Sequence, residues 1–200
     1  MTIDDLSSLP ISVLFEQASS VAPAPGGGCV SALCGYLAVS LLLKSIRISS
    51  RAHPDDSSFA EVDRQLVASA GQLLVLAQAD SDSFEAYMRA LKLPKTTSEE
   101  IASRRKAIHD AAVGATASAL DILDTGNGIL DIAHRVQNRV SVSIVADERS
   151  AVEVVSAMNS TAEWNADANM TSLHEEVALV NRLQDAKAKH AALLAACHAG

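Results

Sequence analysis

Residues 59–91 contain no proline, and within them Phe59, Leu66, Leu73, Asp80 and Tyr87 recur at seven-residue intervals. An unbroken segment of that length with that period reads as a long helix, its seam turned to a core or a partner helix. Composition extends the constraint to the rest of the chain. About one residue in six is alanine and only 3% are aromatic. Alanine is the best helix former and is depleted in strands, so an all-α bundle of long helices is expected. The 200 residues, 48% of them hydrophobic, suffice to bury one core without disulfides or metal, and we read 1–200 as a single domain. Disorder, an all-β sandwich and a nucleic-acid reader built on stacked aromatics are all disfavoured. A net charge of −8 argues against non-specific binding to nucleic acid or anionic membrane.

Proline, glycine and capping residues divide the chain. Pro10 suits the first turn of a short helix over 8–20. The run Val21-Ala-Pro-Ala-Pro25-Gly-Gly-Gly28 cannot be helical, and an apolar helix follows over 29–47. Residues 53–58 break the chain before the 59–91 helix, and Thr97 with Glu100 makes a capping box opening a helix to about 124. The sequence Asp124-Thr-Gly126-Asn-Gly128 predicts a turn, with helices over 129–138, 147–160 and 171–197 beyond it. In 139–146, Val140, Val142 and Ile144 alternate, yet helical continuation fits the composition better than a strand. The apolar run 32–43 is too short for a bilayer, which needs about 20 residues, and reads as a core helix. The opening, Met1 to Leu6, shows no secretory h-region, and Cys29, Cys34 and Cys197 form no CxxC pair. Reduced thiols in a cytoplasmic protein are the expectation. Small residues on long helices also predict close packing and a homodimer.

Several residues could carry chemistry. Asp80 stands where the seam calls for leucine, and a buried carboxylate must be paired or hydrogen-bonded. A structural ion pair and a functional acid are both open on the pattern alone. The glycines before a helix start gather free N–H groups suited to an anion or an electron-rich atom. Cys29 sits at that helix start, where a thiol pKa falls, but no histidine stands beside it and a packed small residue is the simpler reading. Arg89, Lys92, Lys95, Arg104, Arg105 and Lys106 reverse the local sign of an acidic chain and suit either a polyanionic tail or plain solvation. Asp121, Asp124 and Asp131 read as solvated. The six histidines have no ligand spacing, His174-Glu175-Glu176 is not HExxH, and no metal site is expected. Nucleophile-elbow, P-loop and dinucleotide-binding motifs do not occur.

Two segments in register go beyond pattern. Ala24-Pro25-Gly26-Gly27-Gly28-Cys29-Val30-Ser31-Ala32-Leu33 resembles the APGGGSVAAL opening of the formiminotransferase-cyclodeaminase C-terminal family, which bacterial methenyltetrahydrofolate cyclohydrolases share. Asp80-Ser81-Asp82-Ser83-Phe84-Glu85-Ala86-Tyr87, then Leu93-Pro94-Lys95, Thr97-Ser98-Glu99-Glu100 and Arg104, resemble that family's second motif, and the likeness covers about 10–125. The resemblance implies an all-helical dimer acting without metal on a tetrahydrofolate that carries a one-carbon unit, either hydrolysing its 5,10-methenyl form or expelling ammonia from its 5-formimino form as the ring closes. It implies a site role for Asp80, with Asp82 as the next acid. Pro25, Gly26, Gly27 and Gly28 would then lie against the folate, and Lys95 and Arg104 near its glutamate tail. In the second half Asn138 and Asn165 keep family asparagines, as does Asn169, whereas Ser143 is followed by Ile144 where members carry Ser-Asp. A relative repurposed for another cyclic or amidine-like molecule, or a silent helical dimer serving as a binding partner, are the alternatives. The small-molecule substrate, with no nucleic-acid or membrane partner, completes the expectation.

Overall fold

Short connections between long helices force successive helices to run antiparallel, and this dictates the architecture. The computed structural model describes residues 6–200; the acidic opening up to Asp5 lies outside them. Helix α1 (Ile11–Ala18) buries none of its residues and precedes α2 (Gly27–Ala52), α3 (Ser58–Leu91), α4 (Ser98–Val136), α5 (Val145–Met170) and α6 (Val177–Ala199). Single 3-10 turns fill Leu6–Ser8, Gln137–Arg139 and Val142–Ile144, so 139–144 is neither strand nor α-helical continuation, and α-helix resumes only at Val145. Among the described residues there is no strand, and the all-α expectation holds. Helices α2, α3, α4 and α5 pack in an up-down ring in which α5 returns beside α2, and α6 lies outside against α4 and α5.

Each long helix forms for reasons visible in its sequence. The Thr97 hydroxyl accepts the Glu100 N–H at 3.2 Å, and the Glu100 carboxylate accepts the Thr97 N–H at 3.0 Å, which completes the expected capping box. At α3 the Asp56 carboxylate serves, accepting from the Ser58 N–H and hydroxyl. The α3 seam buries Phe59, Leu66 and Leu73 against the ring. At 26 residues, with an 18-residue stretch of mean hydropathy 1.8, α2 is longer than the expected apolar run and long enough to cross a bilayer. Its Cys29, Ala32, Val39, Leu42 and Ile46 are spent instead on the bundle core.

The turn expected at 124–128 does not exist: α4 runs through it to Val136. Gly126 is there for close approach. A Cβ on it would overlap the Asn159 side chain, whose Cγ would stand 2.7 Å away. On the other side of α5, a Cβ on Gly35 would overlap Met158. Two glycines, one on α2 and one on α4, therefore let both helices close on α5 at Met158 and Asn159. Asn127 is fully buried; its amide donates to the Ala186 carbonyl of α6 at 3.0 Å and its own carbonyl accepts from Asn159 at 3.1 Å. Asp121 and Asp124, expected to be merely solvated, both bind Arg182 and tie α6 to α4, while Asp131 pairs with Arg135.

A hydrogen-bonded chain also links α5 and α6: Ser156 Oγ meets His190 Nε2 at 3.0 Å, and His190 Nδ1 meets Glu163 Oε1 at 2.7 Å. The order resembles a hydrolytic triad, but Ser156 lies mid-helix, where neighbouring N–H groups are committed to the backbone ladder and offer no oxyanion hole. Ser156 and His190 are buried, and the chain is a clasp between helices.

Gly126→Ala should lower stability by about 2–3 kcal/mol through overpacking against Asn159. Gly128, with open space where a Cβ would sit, should gain up to about 1 kcal/mol as Gly128→Ala, because it lies inside the same helix. Chemical denaturation of the two variants checks both signs; a turn at 124–128 would not give this pair of results.

Candidate functional site

Where α2 and α5 stop, α3 and α4 continue. The first begins at Gly27 and the second ends at Met170, near the level of Asp80, while α3 runs on to Leu91 and projects roughly 15 Å further at the helical rise. The step so formed holds a cavity of about 350 Å³. Gly26, Gly27 and Gly28 form one wall, Asp80, Phe84 and Tyr87 another, and Asn165 and Asn169 face them from α5. Spacings of four and seven put Asp80, Phe84 and Tyr87 on one face of α3, and a spacing of four does the same for the two asparagines.

Among the described residues Asp80 has no basic partner, so the ion-pair reading of its place on the seam is not what the structure shows. Its Oδ2 accepts the Cys29 backbone N–H at 2.8 Å, in the first turn of α2, where backbone donors are unpaired. The carboxylate occupies the space that a side chain at position 28 would fill: a Cβ on Gly28 would lie 2.6 Å from the Asp80 Cγ. Burial pushes the Asp80 carboxyl above the ordinary aspartate range, and the Cys29 hydrogen bond works against that rise. The chain thus gains an acid held rigidly by a helix start, with Oδ1 left for the cavity. Cys29 is fully buried, and desolvation raises its thiol to about 11, so it is a packed residue with no reactive character. All three cysteines are free thiols.

The structure gathers only part of the expected constellation. Asp80, Gly26, Gly27, Gly28 and Asn165 line the cavity. Pro25 is buried behind it, after a cis Ala24–Pro25 peptide, and Pro23 takes its place at the wall. Asp82 is exposed and accepts from Gln78 at 3.0 Å, outside the cavity, because two residues along a helix is more than half a turn. Arg104 is also outside it. Its guanidinium donates to the Leu91 carbonyl at 3.1 Å, satisfying the end of α3. Lys95 is exposed on the α3–α4 connection and does not line the cavity. Of the other basic residues, Arg89 pairs with Glu85 and Lys106 with Asp110.

Asn138 is a correction. It is exposed in the turn after α4, whereas Ala115 of α4 lines the cavity; the remaining length of α4 separates them by about 30 Å. Ser143 and Ile144 share that far end. Phe84, Tyr87 and Asn169 line the wall without belonging to the expected set, although helical spacing from Asp80 and Asn165 points to all three. Among the described residues no group of three histidine, cysteine or carboxylate side chains could hold a metal ion.

Comparison with known proteins agrees with this architecture. The chain is 27% identical over 180 residues to the methenyltetrahydrofolate cyclohydrolase of Methylorubrum extorquens, covering 88% of this chain and 86% of that one. It is 26% identical over 186 residues to the formimidoyltransferase-cyclodeaminase of Mus musculus, of which the match spans only 34%. The formiminotetrahydrofolate cyclodeaminase crystal structure from Thermotoga maritima shares the fold, with a TM-score of 0.85, 15% identity and 96% of each chain covered. The formiminotransferase-cyclodeaminase family model matches residues 10–189, end to end across α2–α5 and most of α6, and the chain belongs to that family.

Proposed function

We propose that this chain hydrolyses 5,10-methenyltetrahydrofolate. The observation that carries the reading is the cavity's charge: among the described residues Asp80 is the one carboxylate that lines it, and no cationic side chain does. Such a wall favours a ligand whose reacting centre is positive. The methenyl carbon lies between two nitrogens that share a positive charge. A carboxylate beside it stabilises that charge, and the same carboxylate can accept a proton from a water attacking the carbon. The new carbon–oxygen bond forms as one carbon–nitrogen bond of the ring breaks, leaving a formyl group on the other nitrogen and releasing a proton. Phe84 and Tyr87 offer flat apolar surface to a heterocycle, and Asn165 and Asn169 offer amide donors and acceptors for its edges. Both a cyclohydrolase and cyclodeaminases are among the relatives; of the sequence relatives, the cyclohydrolase is matched over 86% of its own length and the mouse cyclodeaminase over 34%, while the Thermotoga maritima cyclodeaminase, at 15% identity, shares the fold alone.

We propose also that it works as a cytoplasmic homodimer. Support comes from apolar surface left outside the bundle: Val67 and Val75 of α3 are 49% and 62% exposed, and Tyr36 and Leu37 lie exposed on α2. Light scattering should give twice the 20.9 kDa of one chain at micromolar concentration, and a single-chain mass would count against the dimer.

Asp80→Asn should cost a factor on the order of 10²–10³ in turnover while leaving the fold nearly intact, since the amide oxygen can still accept from Cys29. Loss of methenyltetrahydrofolate absorbance, read beside thermal melting, tests this; unchanged turnover per folded molecule removes Asp80 from the reaction. An inactive wild-type chain that still binds the folate would favour the repurposed or silent alternatives. Gly28→Ala should displace the carboxylate and reproduce much of the Asp80→Asn defect.

The pH dependence has a defined sign. Because burial raises the Asp80 pKa, turnover that needs its anion rises with pH through a value above the ordinary aspartate range. The contribution of Asp80 to stability has the opposite slope. It is fully present below the unfolded-state pKa and is lost as pH rises through the raised folded value. Asp80→Asn should flatten both limbs.

A further inference from the structure

At the far end of the bundle the start of α5 and the end of α6 enclose a second recess, of about 260 Å³, lined by Glu148, Arg149, Val152, Glu153, Cys197 and His198. Glu148 is 4% exposed, yet it accepts no hydrogen bond and joins no ion pair among the described residues. Its oxygens are not sealed off, so the access to water they keep is through the recess, and a carboxylate so nearly desolvated gains from any donor that enters there. The neighbours cannot satisfy it. The Cys197 thiol is turned to the Leu130 carbonyl at 3.5 Å, and burial together with the charges of Glu148 and Asp131 pushes that thiol up to about 11. His198 is engaged with Glu153 at 2.7 Å, and Asp131 of α4 with Arg135. Burial raises the Glu148 carboxyl above its ordinary value, and the charge of Arg149 works the other way without any bond between the two.

Arg149 is the second group without a hydrogen-bonding partner among the described residues. It is exposed, lines the same recess and has no acidic partner among the described residues. A ligand that completes both must carry a donor-rich positive group for the buried carboxylate and a negative group for the guanidinium at the mouth. The two protein groups are sequence neighbours, so the ligand's charges must also be close together. Val152 offers a small apolar surface beside them. We propose that this recess binds a small α-amino acid, its ammonium on Glu148 and its carboxylate on Arg149. The site is independent of the folate reading: along α5, Glu148 and Asn165 stand about 25 Å apart.

Isothermal titration of the full chain with L-alanine, methylammonium and acetate tests the proposal. Saturable binding of L-alanine is expected, with weaker binding of methylammonium and none of acetate. Glu148→Gln should weaken L-alanine at least tenfold and abolish methylammonium binding, and Arg149→Gln should weaken L-alanine alone. Glu148→Gln should melt no lower than the parent, because it removes an uncompensated buried charge, and should leave folate turnover unchanged. Absence of saturable heat with L-alanine on the folded wild-type chain, or equal affinity in both variants, would overturn the proposal whether or not the folate reaction is present.

Discussion

Helix α5 lies close against two helices at one level, and the bundle depends on that double approach. Side chains ordinarily hold helix axes 8–10 Å apart. Gly35 and Gly126 remove the side chains that would hold α2 and α4 off, so that Met158 and Asn159 fill the space between them. The gain is packing density; the cost is a buried amide whose nitrogen donates to the carbonyl of Asn127, itself anchored to the Ala186 carbonyl of α6 through its own amide, while the Asn159 oxygen is left without a hydrogen-bond partner among the described residues. With α5 seated there, its last turns lie over the glycine-rich start of α2. The cavity wall formed by Asn165 and Asn169 is therefore a downstream result of contacts deep in the core.

The same dependence runs through the acid. Asp80 would be an anomaly on an apolar seam were α2 not to begin beside it with a free N–H and an empty Cβ position. Helix start and carboxylate complete each other: the acid supplies the first turn with an acceptor, and the turn fixes the acid's direction. A site residue that doubles as a helix cap is preorganised by the fold itself.

How much of this was legible in the sequence depends on how local the controlling physics is. The capping box at Thr97, the long α3 and the place of Asp80 on its seam follow from short-range spacing, and the structure contains them. The family motif likewise brought the glycines and Asp80 together correctly. Gly126 misled because a glycine flanked by Asp, Thr and Asn looks the same whether it bends a chain or admits a neighbour, and only the partner helix distinguishes these. Asn138 was placed by a motif asparagine, but the length of α4 carries it to the opposite end. Arg182 reaching back to Asp121 and Asp124, and Glu148 without a donor, are tertiary facts with no sequence period to announce them.

The projection of α3 and α4 beyond the bundle has a consequence for how this fold can vary. Past the level of Asp80 the two helices rest chiefly on each other, with Ala90 buried between them and Arg104 closing the end of α3. Their length there is uncoupled from the ring of four. Removing or adding whole turns in both helices beyond Tyr87 leaves the core, the glycine contacts, the acid and the aromatic wall untouched, provided the helical phase is kept. The arm is thus a module whose reach can drift between related chains while the cavity at its base stays fixed.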